Sequence, residues 1–144
     1  MKMSTQTPSG SCLCGGVTFR INAPLQPIQI CHCTQCRKAQ GTPLVTNTPV
    51  NEADFELLSG AGLLKLFESS PGKQRVFCSH CGSPVYSQNV RVPGVLRIRA
   101  GLIDEPVKAT LAAHFHVASQ CSWWPINDDL PQFPTAFLPQ DQQK

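Results

Sequence analysis

Apolar residues along this chain come in short runs, several of which alternate with polar ones. Val17, Phe19 and Ile21 flank Thr18 and Arg20, and Val95, Leu96 and Ile98 run with Arg97 and Arg99. A period of two over four to six residues predicts strands rather than helices. Further β-rich runs lie at 44–46, 55–58, 63–67, 75–77, 85–86 and 113–117, and turn residues separate nearly all of them; 13 Pro and 10 Gly leave little room for long helices. The exception is 34–40, where Thr34 is placed to cap a short helical turn carrying Cys36, Arg37 and Lys38, with Gly41 as its stop. The pattern therefore predicts a mainly β single domain with one short helical turn.

Length and composition narrow this little further. The chain has 144 residues, an ordinary single-domain length, and its 41% hydrophobic content is enough for a core. We expect a flexible N-terminus over 1–9, a folded domain over 10–133 and an extended tail over 134–144, which is rich in Pro and Gln. The net charge of +3 is spread along the chain, with no basic run longer than Arg37-Lys38, so no nucleic-acid or anionic-membrane footprint is present. The first ten residues are polar and no apolar stretch reaches the ~18 residues of a membrane span, from which a cytoplasmic protein is expected.

The cysteines change the picture. Seven of the eight fall into tight groups: Cys12-x-Cys14, Cys31-x-Cys33-x-x-Cys36 and Cys78-x-x-Cys81. Disulfide frameworks spread their half-cystines to close long loops in oxidising compartments, whereas thiolates two or three residues apart suit tetrahedral zinc. Cys14 and Cys81 are each followed by Gly, while Cys36 is followed by Arg37. A thiolate turn often needs a positive φ just after its second sulfur, which Gly adopts without strain. Cys12, Cys14, Cys78 and Cys81 are thus expected to close one saturated, structural four-thiolate site. Cys31, Cys33 and Cys36 remain as three ligands with an open fourth position, unless His32, His80, His114, His116 or Cys121 fills it.

These residues carry a family resemblance. The segments GSCLCGGVTFRI, CHCTQCRKAQG, FCSHCGSPVY and RIRAGLID, with the stretch from His116 to Trp124 and the following LPQF, resemble the glutathione-dependent formaldehyde-activating enzyme family, which includes the centromere protein V group. The resemblance runs from about Gly10 to Phe133. It implies a β-tent-like fold of antiparallel sheets organised around two zinc ions, with Cys12, Cys14, Cys78 and Cys81 holding the structural zinc and Cys31, Cys33 and Cys36 the catalytic one. It also implies a carbon–sulfur lyase reaction, the condensation of formaldehyde with glutathione to S-(hydroxymethyl)glutathione.

Three thiolates nearly neutralise a zinc ion, which makes it a poor water activator and favours an incoming thiol, the nucleophile that formaldehyde's carbon requires. Glutathione carries two carboxylates, and Arg37 and Lys38 are the nearest cations in sequence to receive them. Arg97 and Arg99 share one strand face, as either an anion-binding patch or the wet side of a sheet. His114 and His116 are expected to share a strand face too, either as proton shuttles or as half-exposed bystanders, and His32 is expected to point away from its flanking cysteines. Cys121 reads as a buried apolar residue beside Trp123 and Trp124. The competing readings are a carbon–sulfur lyase for another glutathione or thiol adduct, and a non-catalytic zinc-binding interaction module.

Overall fold

A computed structural model describes residues 7–136. Among these residues ten strands form two sheets. The smaller has the order β1 (Ser9–Ser11), β2 (Thr18–Ile21), β5 (Phe55–Ser59). The larger runs β10 (Leu111–Phe115), β3 (Ile28–Cys31), β4 (Val45–Asn51), β9 (Val95–Arg99), β8 (Pro84–Asn89), β7 (Lys73–Cys78), β6 (Leu64–Ser70). Among the described residues one α-helix, α1 (Thr34–Gln40), follows Cys33, and the other helical pieces are single 3-10 turns. The mainly β expectation holds, and the pairings are antiparallel except for one. β10 lies parallel to β3, with the His32 N–H donating to the Phe115 carbonyl at 2.9 Å. No helix among the described residues is long and apolar enough to cross a membrane.

The two sheets meet through the alternation visible in the sequence. Phe19 and Ile21 of β2, Val50 of β4, Val85 of β8 and Leu96 and Ile98 of β9 are all buried in one cluster, where the Phe19 and Phe55 rings pack at a tilt with centroids 5.3 Å apart. Arg20, between the two buried residues of β2, faces solvent and meets Glu56 at 3.4 Å. Burying such side chains contributes about 1.5–3 kcal/mol each.

The other face of the large sheet is also covered, but it is polar. Pleating places Arg97 and Arg99 opposite Leu96 and Ile98. Register then aligns Gln29 of β3, Asn47 of β4 and Arg99 across one row, and Arg97, Ser87 of β8 and Arg75 of β7 across the next. Arg99 is only 5% exposed and Ser87 is fully buried, so this is no wet sheet face.

β1 begins at Ser9, and the Pro8 carbonyl accepts from the Ile21 N–H, so pairing starts just ahead of residue 10. Residues 1–6 and 137–144, which carry most of the two predicted terminal segments, lie outside the described residues. At the near end of the C-terminal segment, the Thr135 carbonyl accepts from the His116 N–H.

Candidate metal and thiol-binding site

Two knuckles build the first cysteine group. Cys12 and Cys14 follow β1, and Cys78 ends β7 with Cys81 in the turn beyond it. Their four sulfurs lie within 4.8 Å of one another, with Cys12 and Cys14 at 3.5 Å and Cys14 and Cys78 at 3.9 Å. Tetrahedral zinc with ~2.3 Å bonds to sulfur sets neighbouring sulfurs about 3.8 Å apart, so the donors fit such an ion. Gly15 and Gly82 hold φ of 80° and 82°, the left-handed turns the sequence required. The turn after Gly15 brings backbone donors onto the sulfurs: Gly16 N–H reaches Cys14 Sγ at 3.4 Å and Val17 N–H reaches Cys12 Sγ at 3.3 Å. The Ser83 hydroxyl and N–H lower the Cys81 thiol to about 5, which favours its thiolate.

The second group stands at the end of β3. Cys31, Cys33 and Cys36 also converge within 4.8 Å, and none of His32, His80, His114, His116 or Cys121 joins either group among the described residues. Cys33, rather than Thr34, caps α1: its backbone is extended and its Sγ accepts the Cys36 N–H at 3.1 Å, the role a serine oxygen plays in other helices. Gly41 closes the helix in the left-handed region, as expected. Hydrogen bonds from Cys31 and Cys33, followed by the Arg75 guanidinium, hold the Cys36 thiol far below the usual range; the same crowding by Cys33 and Cys36 pushes Cys31 up. Arg75 Nη2 lies 3.6 Å from Cys36 Sγ. Three sulfurs this close together could hold a metal ion.

Cys31 and Cys36 open onto a cavity of about 210 Å³ that Lys73, Arg97, Arg99 and His116 also line. Arg97 is anchored by its Nη1 donating to Gln29 Oε1 at 2.9 Å. Burial disfavours the charged form of Lys73 and lowers its pKa. Asn47 Oδ1, Ser87 Oγ and Arg99 Nε, all from residues of this cavity wall, are buried without hydrogen-bond partners. Buried polar atoms are normally satisfied, so a wall of unused donors and acceptors beside thiols marks a site for a polar guest.

The histidines do not share a face. The strand predicted to reach residue 117 ends at Phe115, because His116 turns into the left-handed region at φ 59°. His116 enters the thiol cavity, where burial lowers its pKa. His114 is 3% exposed and turned the other way: its Nδ1 lies 2.8 Å from His32 Nε2, and its Nε2 lies 3.0 Å from Asp128 Oδ2. His32 thus points away from its neighbouring cysteines into a buried chain. Cys121 is buried and stands alone.

Arg37 and Lys38 do not line the thiol cavity. Lys38 borders a second, larger cavity, and Arg37 Nε is buried without a partner. The cations that do surround the thiols are Lys73, Arg75, Arg97 and Arg99. Only the spacing of Arg97 and Arg99 hinted at them; Lys73 and Arg75 arrive through the register of β7, which no local motif encodes.

Comparison with known proteins shows the family to which the chain belongs. Residues 7–119 match the model of the family described as glutathione-dependent formaldehyde-activating enzyme, a span that contains all seven clustered cysteines. A Halomonas elongata protein named "putative glutathione-dependent formaldehyde-activating enzyme" is 33% identical over 102 residues, which is 66% of this chain and 64% of that protein's length. A crystal structure of a Rhodobacter sphaeroides protein shares the fold with a TM-score of 0.58 at 22% identity, covering 69% of this chain and 90% of the other. The chain belongs to the glutathione-dependent formaldehyde-activating enzyme family.

Proposed function

We propose that the protein joins glutathione to formaldehyde, giving S-(hydroxymethyl)glutathione, and catalyses the reverse cleavage as a carbon–sulfur lyase. The observation that carries this reading is the three-thiol group opening onto a cavity lined by buried cations with unused hydrogen-bonding atoms. Cys12, Cys14, Cys78 and Cys81 hold a structural zinc, and Cys31, Cys33 and Cys36 hold the catalytic one. When bound at the three-thiol group, zinc supplies a coordination position that favours deprotonation of an incoming thiol.

Lys73, Arg97 and Arg99 attract the glutathione carboxylates and orient the tripeptide so that its sulfur approaches the three-cysteine group. In the forward step a bond forms between that sulfur and the formaldehyde carbon, and the carbonyl π pair moves to oxygen. The proton lost by sulfur ends on the new hydroxyl, so atoms and charge balance with no redox change. His116 is placed to carry that proton: it borders the cavity, and its lowered pKa keeps the imidazole neutral and able to accept at pH 7.

The test is the exchange rate between free formaldehyde, glutathione and their adduct, followed by NMR on zinc-loaded protein. Acceleration over the spontaneous rate, lost in Cys33→Ser, is expected. A rate equal to the spontaneous one in the wild type removes the lyase reading and leaves a zinc-binding module.

A further inference from the structure

A second cavity, of about 600 Å³, adjoins the thiol cavity, and Arg99 lines both. It lies between α1 and strands β6 to β9, with Phe67, Phe77, Pro84 and Tyr86 among its walls. Formaldehyde has one carbon and nothing to bury in such a space. Glutathione is polar along its whole length and gains little from aromatic walls. The proposed reaction therefore leaves this cavity without a purpose.

Its polar edge shows what kind of molecule fits. Arg75 and Arg99 line the cavity, are 9% and 5% exposed, and each keeps a buried nitrogen without a partner, Nη1 and Nε respectively. Gln40 Oε1, at the same wall, is buried and unpartnered as well. Arg75 also reaches Cys36 Sγ through Nη2. Guanidinium donors therefore stand between the three thiols and the aromatic walls. A ligand that starts at the thiols and passes Arg75 and Arg99 finds hydrogen-bond donors first and apolar surface beyond them.

We infer that the apolar cavity holds the side group of a larger carbonyl substrate, so that the enzyme acts on glutathione adducts of hydrophobic aldehydes, aliphatic or aromatic. The inference rests on the glutathione-binding reading above and extends it. The chemistry is unchanged: sulfur bonds to the carbonyl carbon, the carbonyl π pair becomes the hydroxyl oxygen's, and the thiol proton moves to that oxygen. What changes is the side group on carbon, which Phe67, Phe77 and Tyr86 remove from water.

Titration calorimetry on the zinc-loaded protein, comparing S-methylglutathione with S-hexylglutathione, tests it. The hexyl compound is expected to bind more than tenfold tighter, because each methylene taken from water adds affinity. Ala39→Trp, which fills the cavity from an exposed position on α1, should reduce that ratio to near one; Phe67→Asp, on the exposed edge strand, serves if the tryptophan variant does not fold. Equal affinity of the two compounds for the wild type overturns the inference while leaving glutathione binding intact. So does a hexyl preference that survives in the folded variants. Failure of both compounds to bind overturns the inference, and failure of free glutathione as well, titrated in the same way, overturns the glutathione reading itself.

Discussion

Removing a lysine ammonium from water is unfavourable unless something nearby replaces its hydration, and Lys73 sits in that position at the start of β7. Burial lowers its pKa below the usual 10.5, with the Cys36 thiolate opposing the shift. Below its folded pKa the ammonium is charged in both folded and unfolded chains, and there the burial penalty is felt in full. As pH rises through the folded pKa toward 10.5, the folded state releases its proton first and the penalty is relieved. Lys73→Met should raise the thermal midpoint by roughly 2–4 °C at pH 7, with the gain shrinking at pH 10. On the proposed glutathione reading, the same substitution should raise KM for glutathione about tenfold with a smaller change in kcat, because it would remove a charged donor to a carboxylate. Thermal unfolding at the two pH values and steady-state kinetics check both halves. Cys33 also has two roles, as a sulfur of the three-thiol group and as the cap of α1. Cys33→Ser and Cys33→Ala should each lose one metal per chain, measured by elemental analysis. Only alanine also loses the cap, so it should be less stable than serine by about 1 kcal/mol.

Among the elements, the parallel pair β3 and β10 sets the thiol loop in place. β3 delivers Cys31 and the loop to Cys33, and β10 delivers His114, whose ring bridges His32 and Asp128. Asp128 is fixed in turn by the Leu130 N–H at 3.0 Å. Asp128→Ala should loosen His32 and with it the flanking cysteines, weakening metal binding at the three-thiol group roughly tenfold, as loss of a supporting partner does around other metal ligands. Chelator competition should show the four-thiol group unchanged. An equal loss at both groups makes the chain a general fold element instead. Of this pair, β10 was legible in sequence as the run at 113–117, but β3 was not. β3 has apolar Ile28 and Ile30, but the prolines before it and the metal motif after it obscure a four-residue strand. β1 reads Ser-Gly-Ser and carries no apolar signal; it becomes a strand only because β2 is there to pair with. The runs at 17–21 and 95–99 were legible, since their alternation is the physical cause of their burial. His116 left the strand by adopting a positive φ, for which its residue type gives no warning.

At the scale of the whole molecule, the four-thiol group ties the loop after β1 in the small sheet to the turn after β7 in the large one. The Gly residues after Cys14 and Cys81 made this pairing readable in advance, because the need for a left-handed turn beside a thiolate is local. The cation-lined cavity was not readable, because sheet register assembles it from strands far apart in sequence. The two groups should accordingly respond differently to metal removal. A structural zinc binds with about 10 kcal/mol or more in small modules, against a total stability of about 5–15 kcal/mol for a domain, so an ion held by the four thiols would amount to much of what keeps the sheets together. The three-thiol group is carried by β3 and α1 beside the large sheet and does not bridge the two sheets. Titration with a strong chelator should remove one metal first, abolishing aldehyde exchange without altering tryptophan fluorescence or circular dichroism. The second metal should leave together with cooperative unfolding, and Cys78→Ser should fail to fold while Cys31→Ser keeps its structure. If unfolding coincides with loss of the first metal, or if Cys78→Ser folds as stably as the wild type, the division into a structural and a working centre is wrong.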